Sequence, residues 1–306
     1  MTQSSMKVSI ILATYCRDDL LSTTLQGLAD MDVTDLDWEV LLVDNAGNDE
    51  TARISESFST RIPLKFLVET APGKNNALNA ALHHASGDLI IFTDDDVVPD
   101  PGWAKALIDA ASRWRGAAMF GGRILPKFPD GMSSPPIDDP VFKRIAYVIS
   151  DGDFEEGECP AGKIWGPNMM VRRQVFDEGL RFDTNIGPSG NSYVMGSETE
   201  FLQRASNAGH IAVYIPSAVV HHQIRPEQLT PSWLYGRAFR VGRGLAYHDQ
   251  STSVLKIKKW MLREIAVLFV RYIYYCVLGT ESEKLNNGIR FHKMRGHIYQ
   301  CNKGRN

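Results

Sequence analysis

Short apolar segments alternate with amphipathic ones over residues 8–124, and this alternation limits the fold more than any other feature of the sequence. The apolar segments are rich in Val, Ile, Leu and Phe and end in polar residues, as buried strands of a parallel sheet do. The predicted strands are 8–13, 38–44, 64–69, 88–94 and 118–124, and the predicted helices are 18–31, 74–85 and 101–114. The alternation predicts βαβ units and an α/β fold.

The periodicity fades between residues 125 and 163, where Pro, Gly and Asp accumulate. A long irregular segment of this kind is usually functional, and we expect it to form a lid or one wall of a binding site. Regular structure resumes at 165–173, followed by a helix at 197–208 and a pair of strands at 211–215 and 217–222. We therefore expect an α/β domain over 1–225, with halves 1–116 and 117–225, and a helical segment over 226–306.

The distribution of charge bears on the partners of the protein, and its cysteine content bears on its location. The net charge is −3, but residues 225–306 carry 15 Lys and Arg against five Asp and Glu. Unless this is ordinary surface variation, a basic surface faces an anionic partner such as lipid headgroups or nucleic acid. The four cysteines show no C-x-x-C spacing, which fits a reducing compartment, and the apolar stretch 8–13 is too short for a signal peptide or a membrane span. The sequence therefore predicts a cytoplasmic protein.

Acidic residues end two of the predicted strands. Asp44 ends one of them, and Asp94, Asp95 and Asp96 end another. Ligands of open α/β sheets bind at the carboxyl ends of the strands, so we expect these side chains to meet. A D-x-D sequence can offer one carboxylate to a divalent cation and another to a ribose or a water molecule, and a diphosphate leaving group needs such a cation. The alternative is an Asp-rich turn that caps the next helix.

Three segments in order, VSIILATYCR, VLLVDN and GDLIIFTDDDVVPDPGW, resemble glycosyltransferase family 2, enzymes of the GT-A fold. The resemblance extends over residues 8–244. It implies a Rossmann-type, mostly parallel sheet flanked by helices, with a basic helical appendage at the C-terminus. It also implies an inverting enzyme that moves a sugar from a nucleoside-diphosphate sugar to an acceptor hydroxyl, with Mn²⁺ or Mg²⁺ as cofactor. A UDP-sugar is the favoured donor, the acceptor is a glycan or a lipid-linked molecule, and no nucleic acid is implied.

The resemblance assigns donor-binding positions after the first two strands. Thr14 and Tyr15 would border the base of the donor, with Tyr15 offering a face for stacking and Arg17 beside them. Asp44 would bond to the edge of the base. Asn45 stands where the family has a second acid, so the role of that acid is not carried over.

Further donor-binding positions follow. Lys74 and Asn75, in APGKNNALNAAL, would lie near the donor, although Lys74 also reads as a solvated residue at a helix start. In the D-x-D sequence, the resemblance makes Asp96 the metal ligand and places Asp94 and Asp95 at the donor.

The segment GSETEFLQRASNAGH resembles the part of the family that supplies the general base, and the base position falls on Glu198. Ser197 stands where the family has an acid, and a shift of one residue would put Thr199 at the base position. Ser197 and Glu200 have the spacing of a capping box, which would fix the helix start. Alternatively, Glu198 only complements the helix dipole.

Histidine and arginine complete the predicted site. The family commonly has a histidine that reaches the metal or the phosphates, and the register favours His222 over His221. Arg237 and Arg243, in WLYGRAFRVGRG, would pair with phosphate or are solvated helix charges.

The pattern of residues 256–279 predicts an amphipathic helix. Its charged side chains lie within one arc of the helix: Lys256, Lys259, Arg263, Glu264 and Arg271. These charges interrupt it too often for a membrane span. It is expected to lie on the inner face of the cell membrane as a peripheral contact with anionic lipid, or else to pack on the catalytic domain or form a dimer.

Other functions remain open. A nucleotidyltransferase that makes a nucleotide sugar would carry a G-x-G-x-R/K stretch near the first strand, and a dinucleotide oxidoreductase would carry G-x-G-x-x-G there. Neither stretch is present in the sequence. A protein that binds a nucleotide sugar without catalysis is the remaining alternative, because Ser197 departs from the family's pattern.

Overall fold

The computed structural model describes residues 6–152, 155–189, 193–248 and 257–304. In the first part of the chain, helices flank a mixed β-sheet. Its strands are β1 (Val8–Thr14), β2 (Trp38–Asp44), β3 (Leu64–Val68), β4 (Leu89–Asp94), β5 (Val97–Pro99), β6 (Ala117–Lys127), β7 (Gly157–Glu158), β8 (Met169–Arg172) and β9 (Ile211–Gln223). They lie in the order β3-β2-β1-β4-β8-β6-β9-β5, and β7 pairs with β9.

The helices are interspersed among the strands up to β9 and follow one another after it. They are α1 (Asp18–Ala29), α2 (Asp49–Phe58), α3 (Lys74–His84), α4 (Trp103–Arg113), α5 (Pro140–Tyr147), α6 (Arg173–Asp177), α7 (Ser197–Asn207), α8 (Pro231–His248), α9 (Lys259–Leu278) and α10 (Glu281–Lys303). The chain divides into two compact units. The first comprises the described residues within Met1–Lys127, Val148–Gly190 and Ser197–Gln223, and the second comprises those within Phe128–Tyr147, Asn191–Gly196 and Ile224–Asn306.

The strands β3, β2, β1 and β4 are parallel to one another, as the sequence predicts. Their apolar side chains fill the layers between sheet and helices, and Ile10, Ile11 and Leu12 of β1 are fully buried. The register pairs Ala13 with Asp94 and Thr14 with Asp44. The carboxyl ends of these strands therefore meet at one edge of the sheet.

The other half of the sheet is mixed. β8 runs antiparallel to β4 and β6, whereas β9 runs parallel to β6 and antiparallel to β5 and β7. The expected pair of strands at 211–222 is one strand, β9. Its pairing with β6 shifts from Gly122–Ile215 to Arg123–Val219, so Pro216 lies within the irregularity. Proline has no N–H to donate to a ladder, and a bulge accommodates it without ending the strand.

Three helices lie where the sequence predicted none: α2, α5 and the short helix α6. In α2 only Thr51, Ser55 and Phe58 are buried, so the apolar period that predicts a helix is missing. Its start is marked instead by Asn48, whose side chain accepts a hydrogen bond from the backbone N–H of Glu50 at 3.0 Å. The second helix, α5, lies inside the segment expected to be irregular. That segment also contains the short strand β7.

A buried asparagine joins three elements of the sheet layer. The Nε1 of Trp103, on α4, donates to the Oδ1 of Asn168 at 2.8 Å. The Nδ2 of Asn168 donates to the carbonyl oxygens of Arg123 and Ala218 at 2.9 and 2.8 Å. Asn168 has no exposed surface, and its amide satisfies backbone groups of β6 and β9 where their register shifts.

The second unit contains the helices α8, α9 and α10. A Cβ added to Gly242 or Gly296 would lie 1.9 Å from the backbone oxygen of Lys293 or Phe239, so these glycines permit close packing of α8 on α10. The predicted helix over 256–279 is confirmed as α9, although Lys256 lies outside the described residues. Along the described chain, no helix has the length and apolar content needed to cross a bilayer.

Candidate functional site

Asp95 is the buried centre of a polar cluster at the carboxyl edge of β1 and β4. Its Oδ2 accepts a hydrogen bond from the Oγ1 of Thr14 at 2.8 Å, and its Oδ1 pairs with the Nη1 of Arg17 at 2.8 Å. The Oγ1 of Thr24, on α1, donates to the backbone oxygen of Asp95 at 2.9 Å. Burial raises the pKa of Asp95 above its ordinary value, while Arg17 opposes this shift. Thr14, which was expected to border the donor base, therefore holds the carboxylate of Asp95 by a hydrogen bond.

Asp96 connects this cluster to the strand β9. Its Oδ2 pairs with Arg17 Nη1 at 3.0 Å, and its Oδ1 lies 3.6 Å from the Nε2 of His222. The pairing of Val97 with His222 between β5 and β9 produces this approach. His221 points elsewhere, with its Nε2 2.8 Å from the Oδ1 of Asp100. Of the two histidines, it is therefore His222 that faces the D-x-D sequence.

Lys74 joins two carboxylates that are far apart in the sequence. Its Nζ donates to the Oδ1 of Asp94 at 2.6 Å and to the Oε1 of Glu198 at 2.8 Å. Burial alone would lower the pKa of Lys74, but the two carboxylates raise it. Lys74 is thus a buried cation shared by the D-x-D sequence and the start of α7, not a solvated helix-start residue.

The ion pair with Lys74 controls the protonation of Glu198. Burial would raise the pKa of Glu198, but the ammonium of Lys74, together with hydrogen bonds from a backbone N–H and from Ser197, outweighs burial and lowers the pKa to about 2. The Oγ of Ser197 donates to the other carboxylate oxygen, Oε2, at 2.9 Å. Glu200 pairs instead with Arg204, so the expected capping box between Ser197 and Glu200 is wrong. In this state Glu198 is an ionised carboxylate of low basicity.

Gly166 provides the space that Glu198 occupies. A Cβ added to Gly166 would lie within 2.6 to 2.8 Å of the Oε1, Cγ and Cδ of Glu198. Any larger residue at 166 would push the carboxylate away from Lys74. No functional role was predicted for Gly166, because a residue without a side chain gives no sign in the sequence of the group that occupies its space.

Asn45 holds the loop that leads to Lys74. Its Nδ2 donates to the carbonyl oxygens of Glu69 and Ala71 at 2.7 and 2.8 Å, and its Oδ1 accepts from the N–H of Gly73 at 2.8 Å. Gly73 has φ +119°, a conformation that L side chains rarely adopt. The amide at position 45 can both donate and accept, which an ionised acid cannot do.

Other predicted donor-binding residues have different surroundings. Asp44 is fully buried, and its Oδ1 and Oδ2 accept the N–H groups of Ala46 and Asn48 at 2.8 and 2.6 Å. A bond from Asp44 to a donor base would require the turn after β2 to open. Asn75 is also buried, and it donates to backbone oxygens in the segment 183–186. Tyr15 is 64% exposed, which leaves its ring open for stacking.

Arg237 and Arg243 lie on α8 in the second unit. The Nη2 of Arg237 donates to the backbone oxygen of Ile145 at 2.9 Å. Arg243 is buried, its Nε donates to the Oε1 of Gln300 at 2.9 Å, and its guanidinium lies over the ring of Tyr299. These contacts give both arginines a packing role, and their role in donor binding remains a prediction.

Asp96 and His222 are the residues suited to a divalent cation. A carboxylate and an imidazole 3.6 Å apart form a ligand pair acceptable to Mn²⁺. Among the described residues, no group of three or more His, Cys, Asp or Glu side chains is arranged to hold a metal. A cation held by Asp96 and His222 therefore stays a prediction.

The chain is similar in sequence to a known family and to known proteins. The family described as "Glycosyl transferase family 2" matches residues 9–180. The succinoglycan biosynthesis protein ExoM of Rhizobium meliloti is 26% identical over 250 residues, which cover 79% of this chain and 75% of that protein. The N-acetylglucosaminyl-diphospho-decaprenol L-rhamnosyltransferase of Mycobacterium tuberculosis is 28% identical over 245 residues, which cover 70% of this chain and 73% of that protein.

A solved structure shows the same fold. The mannosyltransferase PcManGT from Pyrobaculum calidifontis, determined in complex with GDP-Man and Mn²⁺, has a TM-score of 0.60 and 16% identity, covering 97% of this chain and 88% of its own. This likeness confirms the predicted GT-A-like fold. With the family match over residues 9–180, the chain belongs to glycosyl transferase family 2 and is a glycosyltransferase.

Proposed function

We propose that this glycosyltransferase inverts the anomeric carbon of a nucleoside-diphosphate sugar, a UDP-sugar by preference, and transfers the sugar to an acceptor hydroxyl. The convergence of Lys74, Asp94, Asp96 and Glu198 at one edge of the sheet carries this proposal. It supplies one candidate base, one cation shared by two carboxylates, and carboxylates suited to a metal-bound diphosphate. One displacement with one base produces inversion.

Glu198 is the proposed general base. Its carboxylate takes the proton of the acceptor hydroxyl while the hydroxyl oxygen bonds to the anomeric carbon and the bond from that carbon to the diphosphate breaks. A carboxylate paired with Lys74 is a weak base, so Lys74 must turn away first. The donor's diphosphate competes for the Lys74 ammonium, and burial then raises the pKa of Glu198 toward a useful range. Donor binding thus activates the base.

Asp96 and His222 would hold Mn²⁺ or Mg²⁺, which when bound stabilises charge on the leaving diphosphate. Arg17 would then have to leave Asp96 while keeping Asp95, and its guanidinium would be suited to pair with a phosphate of the donor. Tyr15 offers its exposed ring to the donor base.

The acceptor is proposed to be a glycan or a lipid-linked molecule in bacterial polysaccharide or glycolipid synthesis, at the cytoplasmic face of the cell membrane. The names of the two relatives support this, one through succinoglycan and the other through a diphospho-decaprenol acceptor.

Donor binding is the first test. UDP-, GDP- and dTDP-sugars are added with and without Mn²⁺ while thermal unfolding is followed. A ligand at about 100 times its dissociation constant stabilises the folded state by about 2.7 kcal/mol. We expect metal-dependent stabilisation by a UDP-sugar, and release of nucleoside diphosphate from the stabilising donor when an acceptor is added. Stabilisation without any turnover would favour a non-catalytic binding protein, and no response to any donor would contradict the proposal.

Lys74→Met is expected to move the acidic limb of kcat/KM to higher pH. The wild-type pKa of Glu198, about 2, keeps the base ionised across the usual assay range. Without the ammonium, burial is opposed only by the hydrogen bonds from the backbone and Ser197, so the pKa of Glu198 rises and the variant loses activity at a higher pH as the medium is acidified. Profiles of kcat/KM against pH report this, because they reflect the free enzyme. Lys74→Arg keeps a cation and is the control. Superimposable acidic limbs for the wild type and Lys74→Met would contradict the role of Lys74.

A further inference from the structure

The outward side of α9 is a continuous apolar stripe. It is formed by Leu262, Val270, Ile273, Tyr274 and Val277, which lie on one side of the helix at 100° per residue, and we call it the α9 outer face. Val270 and Val277 are 67% and 75% exposed, and the other three are about half exposed. Exposed apolar surface of this extent on one helix indicates an interaction site.

The opposite side of α9 already has its partner within the second unit. Met261 is buried, and the ring of Tyr272 stacks on Phe291 of α10 at a centroid distance of 5.8 Å. Tyr272 also meets the ring of Tyr235, on α8, edge to face at 5.8 Å. Packing within the unit therefore accounts for the inner side of α9 and leaves the outer face uncovered. A partner of the α9 outer face would therefore come from outside the second unit.

Charge on α9 distinguishes the possible occupants. Lys259 and Arg263 share the side of the helix that carries the outer face, at its N-terminal end, and Lys258 precedes them. The acid of α9, Glu264, is turned away from that face, since it lines a cavity with Arg290 and Lys293 of α10. The outer face therefore combines an apolar stripe with cations and no acidic side chain.

A second copy of this chain does not match that pattern. If two α9 helices paired in parallel, Lys259 and Arg263 would face the same cations of the partner. If they paired antiparallel, the cations would lie against the apolar side chains near Val277, where the α9 outer face carries no acid, and the nearby Glu281 of α10 already pairs with Lys284. An anionic bilayer supplies both requirements, phosphate groups for the cations and an apolar boundary for the stripe.

We propose that α9 lies in the plane of an anionic membrane surface, with the α9 outer face at the acyl boundary and Lys258, Lys259 and Arg263 among the headgroups. The helix is about 30 Å long at 1.5 Å per residue, and it would lie along the surface over this length. No described helix is long and apolar enough to cross a bilayer. The inference deepens the proposed function by naming the surface that brings the enzyme to a lipid-linked acceptor.

Co-sedimentation of the full chain with vesicles tests this inference. The wild type is compared on phosphatidylcholine vesicles with and without phosphatidylglycerol, together with the double variant Val270→Glu/Ile273→Glu. Both side chains are exposed, so the fold should tolerate the change. The control, Met132→Glu/Val141→Glu, replaces two exposed apolar residues elsewhere in the second unit and adds the same charge. We expect wild type and control to bind anionic vesicles, and the α9 variant to bind at least about tenfold more weakly.

Charge and self-association provide the remaining outcomes. Lys259→Glu/Arg263→Glu should abolish the preference for phosphatidylglycerol, and added salt should weaken wild-type binding. Equal binding by wild type and Val270→Glu/Ile273→Glu, or no wild-type binding, would overturn the inference. So would a wild-type dimer in solution that this variant dissociates, because a second copy would then cover the face. Donor stabilisation and donor hydrolysis without vesicles should be the same in the α9 variant and the wild type, so loss of vesicle binding is separable from failure of the transfer chemistry.

Discussion

Replacing Glu198 by Gln is expected to lower the rate of sugar transfer by about 10² to 10⁴, the usual contribution of general-base assistance. Glutamine keeps the size of the side chain but lacks a carboxylate that can take the acceptor's proton. Its amide oxygen can still accept a hydrogen bond from Lys74, and its amide nitrogen can donate to the Ser197 hydroxyl, so α7 should remain in place. The measurement is the initial rate of transfer at saturating donor and acceptor.

Two comparisons make this result specific to the base. Glu200→Gln changes a neighbouring carboxylate on α7 that pairs with Arg204, and it should transfer sugar at nearly the wild-type rate. Glu198→Gln itself should keep the thermal stabilisation by donor and Mn²⁺, because the base acts on the acceptor. A Glu198→Gln enzyme with near-normal turnover would show that another group removes the proton.

The sequence was sufficient to predict the sheet edge at which the site forms. Parallel strands bring their carboxyl ends together, so Asp44 and Asp94 could be placed at one edge from the strand pattern alone. The alternation of side chains along β9 likewise favoured His222, and the structure has it 3.6 Å from Asp96. These inferences succeeded because they depend on backbone periodicity, which the apolar residues record.

The contacts between side chains could not be predicted in the same way. Lys74 and Glu198 are 124 positions apart, and their ion pair depends on how the segment before α7 returns to α3. No pattern among neighbouring residues predicts this contact between distant parts of the chain. Asn45 is a related case, because its departure from the family's acid looked like a lost function until its three hydrogen bonds to the loop before Lys74 gave it a structural role. Asp44 is a further case, because its carboxylate accepts two backbone N–H groups of the turn after β2, contacts that the strand pattern does not predict, while its bond to the donor base stays a prediction.

Asp96→Asn is expected to remove the metal dependence of donor binding and to lower transfer by about 10²-fold or more, a typical effect of losing one charge-stabilising group. Asn keeps the shape of Asp96, but a neutral amide is a poor ligand for a hard divalent cation. Arg17 would keep its pair with Asp95, so the loop after β1 should retain its position. The measurements are the Mn²⁺-dependent part of the donor's thermal shift and the rate of nucleoside diphosphate release.

The matched control for this variant is Asp100→Asn. Asp100 follows β5, is half exposed, and pairs with His221 rather than His222. The same chemical change at Asp100 removes an acid close in sequence without removing the carboxylate beside His222, so the Mn²⁺ response should survive. If Asp96→Asn and Asp100→Asn both kept a wild-type response to Mn²⁺, the cation would bind elsewhere. If Asp96→Asn lost donor binding with and without Mn²⁺ to the same extent, Asp96 would act on the donor itself through its position beside Arg17, and the assignment of Asp96 as a metal ligand would be wrong.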